Sequence, residues 1–349
     1  MSKEHENPLG VEGFEFVEFA APDADQLHRL FRQMGFAAIA RHRERDITLY
    51  RQGGINFLVN EVPDGFAARF AREHGPCCTG FALRVADAQR AYQSTLSNGA
   101  ESMSDIPGAV IDGPKIRGIG GSMLYLVDRR DGSALAPEYH LLEGADPRHK
   151  GYGLTHIDHL THNVRFGDMD QWADFYARLF GFHEVRYFDI KGRQTGLKSR
   201  AMTSPNGAIS IPINQSEDPK SQINEYLEQY RGEGVQHIAL YTDDIYATVE
   251  GLRGDGIDFL ATPDTYYEII DQRVPEHHED LARMRRNGIL IDADQETGRK
   301  QLLQIFTQTN IGPIFFEIIQ RKGNRGFGEG NFTALFESIE LDQMRRGVL

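Results

Sequence analysis

The sequence lacks three things that mark large classes of proteins: a cysteine framework, a long apolar run and an excess of positive charge. Its 349 residues contain two cysteines, the adjacent Cys77 and Cys78. Two neighbouring cysteines offer neither a disulfide framework nor a cysteine-based zinc site. Their scarcity is typical of a protein from a reducing compartment.

The missing apolar run and the missing positive charge exclude further classes. The opening stretch MSKEHENPLG holds no apolar segment, so the sequence predicts neither a signal peptide nor a membrane span. A formal net charge of -13 argues against a nucleic-acid partner, because a phosphate-binding face needs clustered Lys and Arg. We therefore expect a soluble, globular, cytoplasmic protein, and its length favours two domains.

An internal repeat organises the chain. TGFALRVADAQRAYQSTLSNGAE in the first half and QHIALYTDDIYATVEGLRGDGID in the second each predict a strand, a turn and an amphipathic helix. GGSMLYLVDRR likewise resembles GPIFFEIIQRK. The two halves are interpreted as copies of one α+β unit, residues 1–150 and 151–349, with the boundary in GADPRHKGYG. Short strands with turn signals predict that each copy curls a mixed sheet around a concave face.

Comparing the copies isolates three positions. Residues that are aromatic or small in the first copy are polar in the second: Phe16 becomes His159, Gly80 becomes His237 and Tyr125 becomes Glu317. Strand alternation places His237 on the same face as Val235 and Ala239, so it is expected to point inward. Packing alone does not explain three inward polar groups in one copy.

Glu317 is the most telling of the three because it interrupts the apolar run FFEII. A buried carboxylate is costly unless a cation compensates it. One interpretation is an ion pair with the nearby Arg321, and the other is a metal ion. A single inward histidine is more often a satisfied core residue than a ligand. Two histidines and a carboxylate match both the facial triad of non-haem Fe(II) oxygenases and the ligand set of catalytic zinc, so the ligands alone leave the metal open.

The repeat and its motifs resemble the vicinal oxygen chelate superfamily, and the second half resembles the 4-hydroxyphenylpyruvate dioxygenase family. The resemblance rests on IDHLTHNV, IPINQ, GEGVQHIAL, LLQIFT, FFEIIQRKG and GFGEGNFTALFESIE, and more weakly on GFEFVEFAAPD in the first half. It implies two tandem domains, each a pair of βαβββ modules, with a metal site only in residues 151–349. It also implies Fe(II) held by His159, His237 and Glu317.

The resemblance implies an activity as well. It is the conversion of 4-hydroxyphenylpyruvate and O2 to homogentisate and CO2 in tyrosine breakdown, by a homodimer or homotetramer. One alternative is 4-hydroxymandelate synthase, which shares the fold, metal and substrate. Others are a non-catalytic small-molecule-binding protein of the same fold and a zinc or nickel isomerase of the glyoxalase type.

The family also implies a substrate pocket and a cover for it. The residues that the resemblance assigns to the pocket are Ser199, Asn214, Gln222, Gln304, Phe315, Phe327, Asn331 and Phe332. For Asn331 a second interpretation is the cap of a final helix, since Asn satisfies free N–H groups at helix starts. The residues after Gly330 have the apolar spacing of a helix. We expect this C-terminal helix to act as a lid, with the preceding glycines as its hinge.

Overall fold

A computed structural model describes residues 6–128, 137–191, 196–294 and 297–331 of the chain. The predicted lid helix and Phe332 lie outside these described residues. Within them, no helix is long and apolar enough to cross a membrane.

The first half builds one sheet of eight strands. Its strands are β1 (Gly13–Ala20), β2 (Ala37–His42), β3 (Ile47–Gln52), β4 (Ile55–Asn60), β5 (Cys77–Arg84), β6 (Lys115–Arg117), β7 (Met123–Val127) and β8 (Tyr139–Leu141). Its helices are α1 (Asp25–Gln33), α2 (Phe66–His74) and α3 (Ala88–Ser97), and a 3-10 turn spans Ile119–Gly121.

The second half builds another sheet of eight strands. Its strands are β9 (Leu154–Asn163), β10 (His183–Lys191), β11 (Gly196–Thr203), β12 (Ser210–Gln215), β13 (Gly234–Thr242), β14 (Leu290–Ala293), β15 (Gln301–Phe306) and β16 (Phe315–Lys322). Its helices are α4 (Met169–Phe180), α5 (Gln222–Tyr230), α6 (Ile245–Gly254), α7 (Asp264–Glu268), α8 (Ile270–Arg273) and α9 (Leu281–Asn287).

Both halves use the same local signals. Asp87 accepts a hydrogen bond from the backbone N–H of Arg90 and caps α3, and Asp244 accepts one from Ala247 and caps α6. These aspartates end the AD and DD turns of the repeat, where a short carboxylate satisfies a free N–H of the first helical turn. The same strand–turn–helix unit is therefore built twice by the same chemistry.

The strand register confirms the correspondence that the repeat predicts. In the first sheet Phe16 pairs with Ala82, which pairs with Tyr125. In the second sheet His159 pairs with Ala239, which pairs with Glu317. Because alternate residues share a face of a sheet, each set projects from the same side of its central strands. Phe16 and Tyr125 thus occupy the positions of His159 and Glu317.

The two sheets differ at their edges. Their orders are β6-β7-β5-β1-β4-β3-β2-β8 and β10-β11-β12-β9-β13-β16-β15-β14. The first half has no counterpart of β14 among its described residues and keeps only a single bridge between Ser102 and Ile116. The chain from Met103 to Pro114 has Pro107, Gly108, Gly113 and Pro114, residues that disfavour a regular strand. One of the four predicted βαβββ modules is therefore a strand short, and β8 extends the sheet at its opposite edge.

The main core joins the two halves. It combines apolar residues of both sheets with those of the helices packed on them, including Phe57 of β4 and Phe316 of β16, whose ring centroids are 5.9 Å apart. His74 of α2 also stacks on Tyr230 of α5 at 4.7 Å. Cys77 and Cys78 are free thiols buried in this core. The residues matched by the repeat lie on the opposite face of each sheet, outside this core.

Candidate metal centre and substrate pocket

His159, His237 and Glu317 lie on three neighbouring strands of the second sheet, β9, β13 and β16. Alternation along β16 turns Phe316 and Ile318 into the main core and Glu317 to the other face. His159 and Glu317 are buried, and His237 is nearly so. The sheet therefore brings together three side chains that are widely separated in sequence.

Their ligand atoms converge on one point. His159 Nε2 lies 3.3 Å from Glu317 Oε2 and 3.3 Å from His237 Nε2, and His237 Nε2 lies 3.4 Å from Glu317 Oε2. An ion with bonds of about 2.0–2.2 Å places neighbouring ligand atoms roughly 3 Å apart. Glu317 Oε1 is buried without a hydrogen-bond partner. A buried carboxylate oxygen without a partner is costly unless a cation completes the site, so the donor set fits a divalent metal.

Hydrogen bonds hold both imidazoles in the orientation that a metal needs. His159 Nδ1 lies 2.8 Å from Asp158 Oδ1, and His237 Nδ1 lies 2.8 Å from Gln236 Oε1. Both oxygens are acceptors, so Nδ1 donates in each ring and Nε2 faces the centre. This arrangement is the usual outer support of metal-binding histidines. The hydroxyl of Thr161 is hydrogen-bonded to His237 Nε2 at 2.9 Å.

The charges of the three side chains are divided unequally. Burial alone would lower the pKa of His159, but Glu317 and Asp158 outweigh it and raise that pKa to about 9. Burial would raise the pKa of Glu317, but the two histidines outweigh it and lower that pKa to about 2. Burial lowers the pKa of His237, with Glu317 opposing. The carboxylate is therefore ionised at neutral pH, as a metal ligand must be.

Arg321 is not the counter-charge of Glu317, so the ion-pair interpretation of that carboxylate is wrong. Its guanidinium forms two hydrogen bonds with Asp158, from Nε to Oδ2 and from Nη2 to Oδ1, both 2.7 Å. Burial would raise the pKa of Asp158, but Arg321 and His159 outweigh it and hold it below its ordinary value. Arg321 thus neutralises the carboxylate that supports His159.

A pocket opens beside the three ligands on the concave face. Five apolar residues line it, Phe188, Leu197, Pro212, Phe306 and Phe327, together with seven polar or charged ones, His159, Thr161, Ser199, Asn214, His237, Glu317 and Glu329. The Asn214 side chain makes no hydrogen bond to the residues described. The surface that these side chains expose to the pocket is mostly apolar, and its aromatic rings and polar groups together suit a small aromatic molecule.

Several residues that the resemblance assigned to the pocket are near the metal centre. Ser199, Asn214 and Phe327 line the pocket. Phe315 stacks on the His237 ring at 4.9 Å, and the Phe327 ring stands edge-on to His159 at 5.5 Å. Gln304 is buried on the same face with neither amide atom hydrogen-bonded, and the backbone of Gly328 lies against it.

Two others are placed elsewhere. Gln222 is exposed in the first turn of α5, because Ser221 caps that helix and turns the next side chain to solvent. Asn331 accepts hydrogen bonds from Tyr266 Oη at 2.7 Å and Arg273 Nη2 at 2.9 Å. The final helical turn begins at Glu329, so the interpretation of Asn331 as its cap is wrong. Neither side chain lines the pocket.

Some lining residues were missed in the sequence. Thr161 lies two residues after His159 on β9, and Phe306 lies two residues after Gln304 on β15, so strand alternation would have found both. Phe188 is on the edge strand β10, and Glu329 is in the glycine-rich segment. Nothing in their local sequence marks these last two.

Both halves of the chain match families of known proteins. Residues 5–139 match the family described as Hydroxyphenylpyruvate dioxygenase, HPPD, N-terminal, and residues 156–268 match the Glyoxalase/Bleomycin resistance protein/Dioxygenase superfamily. A triple mutant of 4-hydroxymandelate synthase from Streptomyces coelicolor superposes with a TM-score of 0.80 at 26% identity, over 97% of this chain and 100% of its own.

Relatives extend the similarity over the whole chain. Hemolysin VllY of Vibrio vulnificus is 56% identical, with 98% of each chain covered. A 4-hydroxyphenylpyruvate dioxygenase of Pseudomonas aeruginosa is 54% identical over 99% of this chain and 98% of its own. With such identity across two similarly built halves and three convergent ligand atoms, the chain belongs to the 4-hydroxyphenylpyruvate dioxygenase family.

Proposed function

We propose that this chain converts 4-hydroxyphenylpyruvate and O2 to homogentisate and CO2 as a step of tyrosine catabolism, using Fe(II) held by His159, His237 and Glu317. The observation that carries the proposal is the convergence of three ligand atoms beside an aromatic pocket, in a chain 54% identical to a named 4-hydroxyphenylpyruvate dioxygenase. The orphaned Oε1 of Glu317 supports a cation at this point.

The ligand charges suit the substrate. Two neutral imidazoles and one carboxylate leave a divalent ion with a net charge near +1, which favours an anionic 2-oxo acid. Fe(II) bound there would offer coordination positions for the carboxylate and keto oxygens of the substrate and would supply redox chemistry toward O2. Zinc with the same ligands has no redox chemistry and could not activate O2. Because the substrate carries its own 2-oxo acid, no second oxo acid is needed.

The chain's own residues orient the aromatic ring and keep water away from it. The rings of Phe306, Phe315 and Phe327 form an apolar wall around the two histidines. Ser199 and Asn214 pair across β11 and β12 and offer polar groups on one side of the pocket. We propose that these two bind the phenol end of the substrate, and that the unpartnered amide of Gln304 is a further polar contact.

The same proposal covers the organisation of the protein. Residues 1–150 would form a domain without a metal, and residues 151–349 the catalytic domain. We also propose that the protein is a cytoplasmic homodimer or homotetramer, as the family resemblance implies. Sedimentation velocity of the purified protein tests the assembly, and a monomer at micromolar concentration would contradict it.

The test of function is product identification. The protein is reconstituted anaerobically with Fe(II), given 4-hydroxyphenylpyruvate and air, and the products are separated by chromatography. We expect homogentisate and CO2 in equal amounts, with one O2 consumed. Predominant 4-hydroxymandelate would assign the activity of the synthase whose fold it shares. Absence of iron-dependent O2 uptake would indicate a binding protein.

A further inference from the structure

Arg321 lies at a junction that the catalytic proposal leaves unused. It lies near the end of β16, four residues after the proposed ligand Glu317. Nε and Nη2 of its guanidinium grip both oxygens of Asp158, whose Oδ1 also binds His159 Nδ1 at 2.8 Å. One side of the guanidinium therefore fixes the carboxylate that orients a metal ligand.

The other side of the same guanidinium binds the backbone of the segment that carries Phe327, one ring of the aromatic wall. Nη1 of Arg321 donates to the carbonyl oxygens of Asn324 at 3.2 Å and Gly326 at 2.6 Å. The next residue is Phe327, whose ring stands edge-on to His159 and lies 6.0 Å from the Arg321 guanidinium carbon. We define residues 324–331 as the wall segment.

The wall segment has few other anchors among the described residues. The backbone N–H of Gly330 donates to Asp292 Oδ2 at 3.0 Å, and Asn331 bonds with Tyr266 and Arg273. Both anchors hold the far end, where the helical turn starts. At the end that carries Phe327, the bonds to other parts of the chain come from Arg321. The position of the ring thus depends on the guanidinium.

We propose that Arg321 and Asp158 are positioning residues that couple the orientation of His159 to the wall segment, so that metal binding orders the part of the aromatic wall that Phe327 forms. The inference rests on the proposed metal centre. Metal binding at His159 Nε2 fixes the ring, the ring fixes Asp158, and the Asp158–Arg321 fork fixes the two carbonyls. By linkage, an ordered wall segment strengthens metal binding by the same factor.

Arginine suits this junction for a geometrical reason. Its planar group presents two parallel N–H groups, on Nε and Nη2, to a carboxylate, and the N–H groups of Nη1 point away from it at a fixed angle. Lysine keeps the positive charge beside Asp158, but its single ammonium group cannot reach all four acceptor oxygens, the two of Asp158 and the carbonyls of Asn324 and Gly326. Arg321→Lys should therefore keep a positive charge beside Asp158 but lose the bonds to the carbonyls of Asn324 and Gly326, which separates the two parts of the coupling.

The experiment uses the full chain with Co(II) added anaerobically, because the visible absorption of Co(II) reports its ligand geometry. Metal affinity is titrated, and hydrogen–deuterium exchange of residues 324–331 is followed with and without Co(II). The variants are Arg321→Met, Arg321→Lys and Asp158→Ala. Arg283→Met is the matched control, since Arg283 forms the same two-bond fork with Glu250 at 2.8 Å on an exposed surface.

For the wild type we expect Co(II) to slow exchange in the wall segment. Arg321→Met should weaken Co(II) binding by about 10- to 100-fold, the usual effect of removing an outer support of a metal ligand. Exchange in the wall segment should become fast and insensitive to Co(II). Arg321→Lys should show the same fast exchange and lose only the part of the Co(II) affinity that linkage to the wall segment supplies, so it should bind Co(II) more tightly than Arg321→Met. Arg283→Met should match the wild type in both measurements.

Asp158→Ala is the decisive variant, because Asp158 makes no hydrogen bond to the wall segment. The coupling requires faster exchange there and an altered Co(II) spectrum in this variant. Unchanged exchange in Asp158→Ala, or wild-type affinity and spectrum in Arg321→Met, would overturn the inference while the metal centre stands. Failure of the wild type to bind Co(II) at all would overturn the proposed function, and the inference with it.

Discussion

The concave faces of the two halves are built from corresponding strands but carry different side chains. In the second half, matched positions hold His159, His237 and Glu317 beside an open pocket. In the first half they hold Phe16, Gly80 and Tyr125, and the face is filled by a second apolar cluster that includes Val110, Ile111 and Tyr139. The loop that replaces the missing edge strand supplies Val110 and Ile111, and β8 supplies Tyr139.

Each face also contains a buried carboxylate, and the two are satisfied in different ways. Glu18 accepts hydrogen bonds from Tyr125 Oη and from Asn60 Nδ2, both at 2.7 Å. Burial raises its pKa despite these bonds. Glu317 faces two imidazoles and keeps one oxygen without a partner. Both oxygens of one carboxylate are thus occupied by hydrogen-bond donors, and the other carboxylate keeps an oxygen that a cation could bind.

An asparagine makes the contrast sharpest. Asn60 of β4 and Asn214 of β12 occupy matched positions, since Val59 pairs with Phe19 and Ile213 with His162. Asn60 donates to Glu18 and to the Gly108 carbonyl of the filling loop, whereas Asn214 faces the pocket. The same residue on the same scaffold is structural where a loop covers it, and lines a pocket where no loop among the described residues does.

The largest expected effect comes from exchanging the carboxylate for its amide. Glu317→Gln should lower turnover by on the order of 10³-fold or more, about 4 kcal/mol of barrier, because an amide is a poor ligand for a divalent ion. Iron content measured after reconstitution should fall in parallel. Tyr125→Phe, at the matched position of the first half, should keep wild-type turnover. Full activity in Glu317→Gln would remove this residue from the metal site.

The next effect concerns the position matched to His237. A Cβ at Gly80 would lie 2.5 Å from the carbonyl oxygen of Met123, so Gly80→Ala should lower the free energy of unfolding by about 3 kcal/mol. Gly118→Ala in the same half meets only contacts of 3.4 Å or more and should change it little. Urea unfolding measures both. Equal stability of the two variants would mean that the first face tolerates a side chain there, and that its lack of a histidine is not steric.

The asparagine pair should show opposite phenotypes. Asn60→Ala removes the donor to Glu18 Oε1 and to the Gly108 carbonyl, which should cost about 2 kcal/mol of stability with KM unchanged. Asn214→Ala should raise KM by roughly 10-fold with little loss of stability, since one hydrogen bond to substrate is worth about 1.4 kcal/mol. Steady-state kinetics and urea unfolding on both variants check the contrast. A KM effect in Asn60→Ala would break it.

The smallest effect is a pH slope assigned to Glu18. Its folded-state pKa is raised above 4.5, so its contribution to stability is complete below about that pH and is lost as the pH rises through the folded-state value. The stability of the wild type relative to Glu18→Gln should therefore fall with rising pH, by at most about 1.4 kcal/mol per pH unit. Urea unfolding at several pH values measures it. A difference that is constant with pH would contradict the raised pKa.

The residues that could be predicted share one property: their role follows from strand alternation and from the repeat. His159, His237 and Glu317 were found by comparing the copies, and the register of both sheets places them together. Gln222 and Asn331 were assigned to the pocket from family resemblance alone. In the structure Gln222 is the first residue of α5, and Asn331 accepts hydrogen bonds from Tyr266 and Arg273. Their side-chain directions depend on helix caps and on packing that alternation does not describe.

The sequence by itself determined the doubled α+β unit, the inward direction of the three polar side chains and the chemistry of their donor atoms, because these follow from a period of two along each strand. Only the tertiary structure decided that Arg321 binds Asp158 and not Glu317, and that a loop fills one concave face while the described residues of the other enclose a pocket. These outcomes depend on which distant segments meet in space, and side chains far apart in the sequence compete there for the same partners.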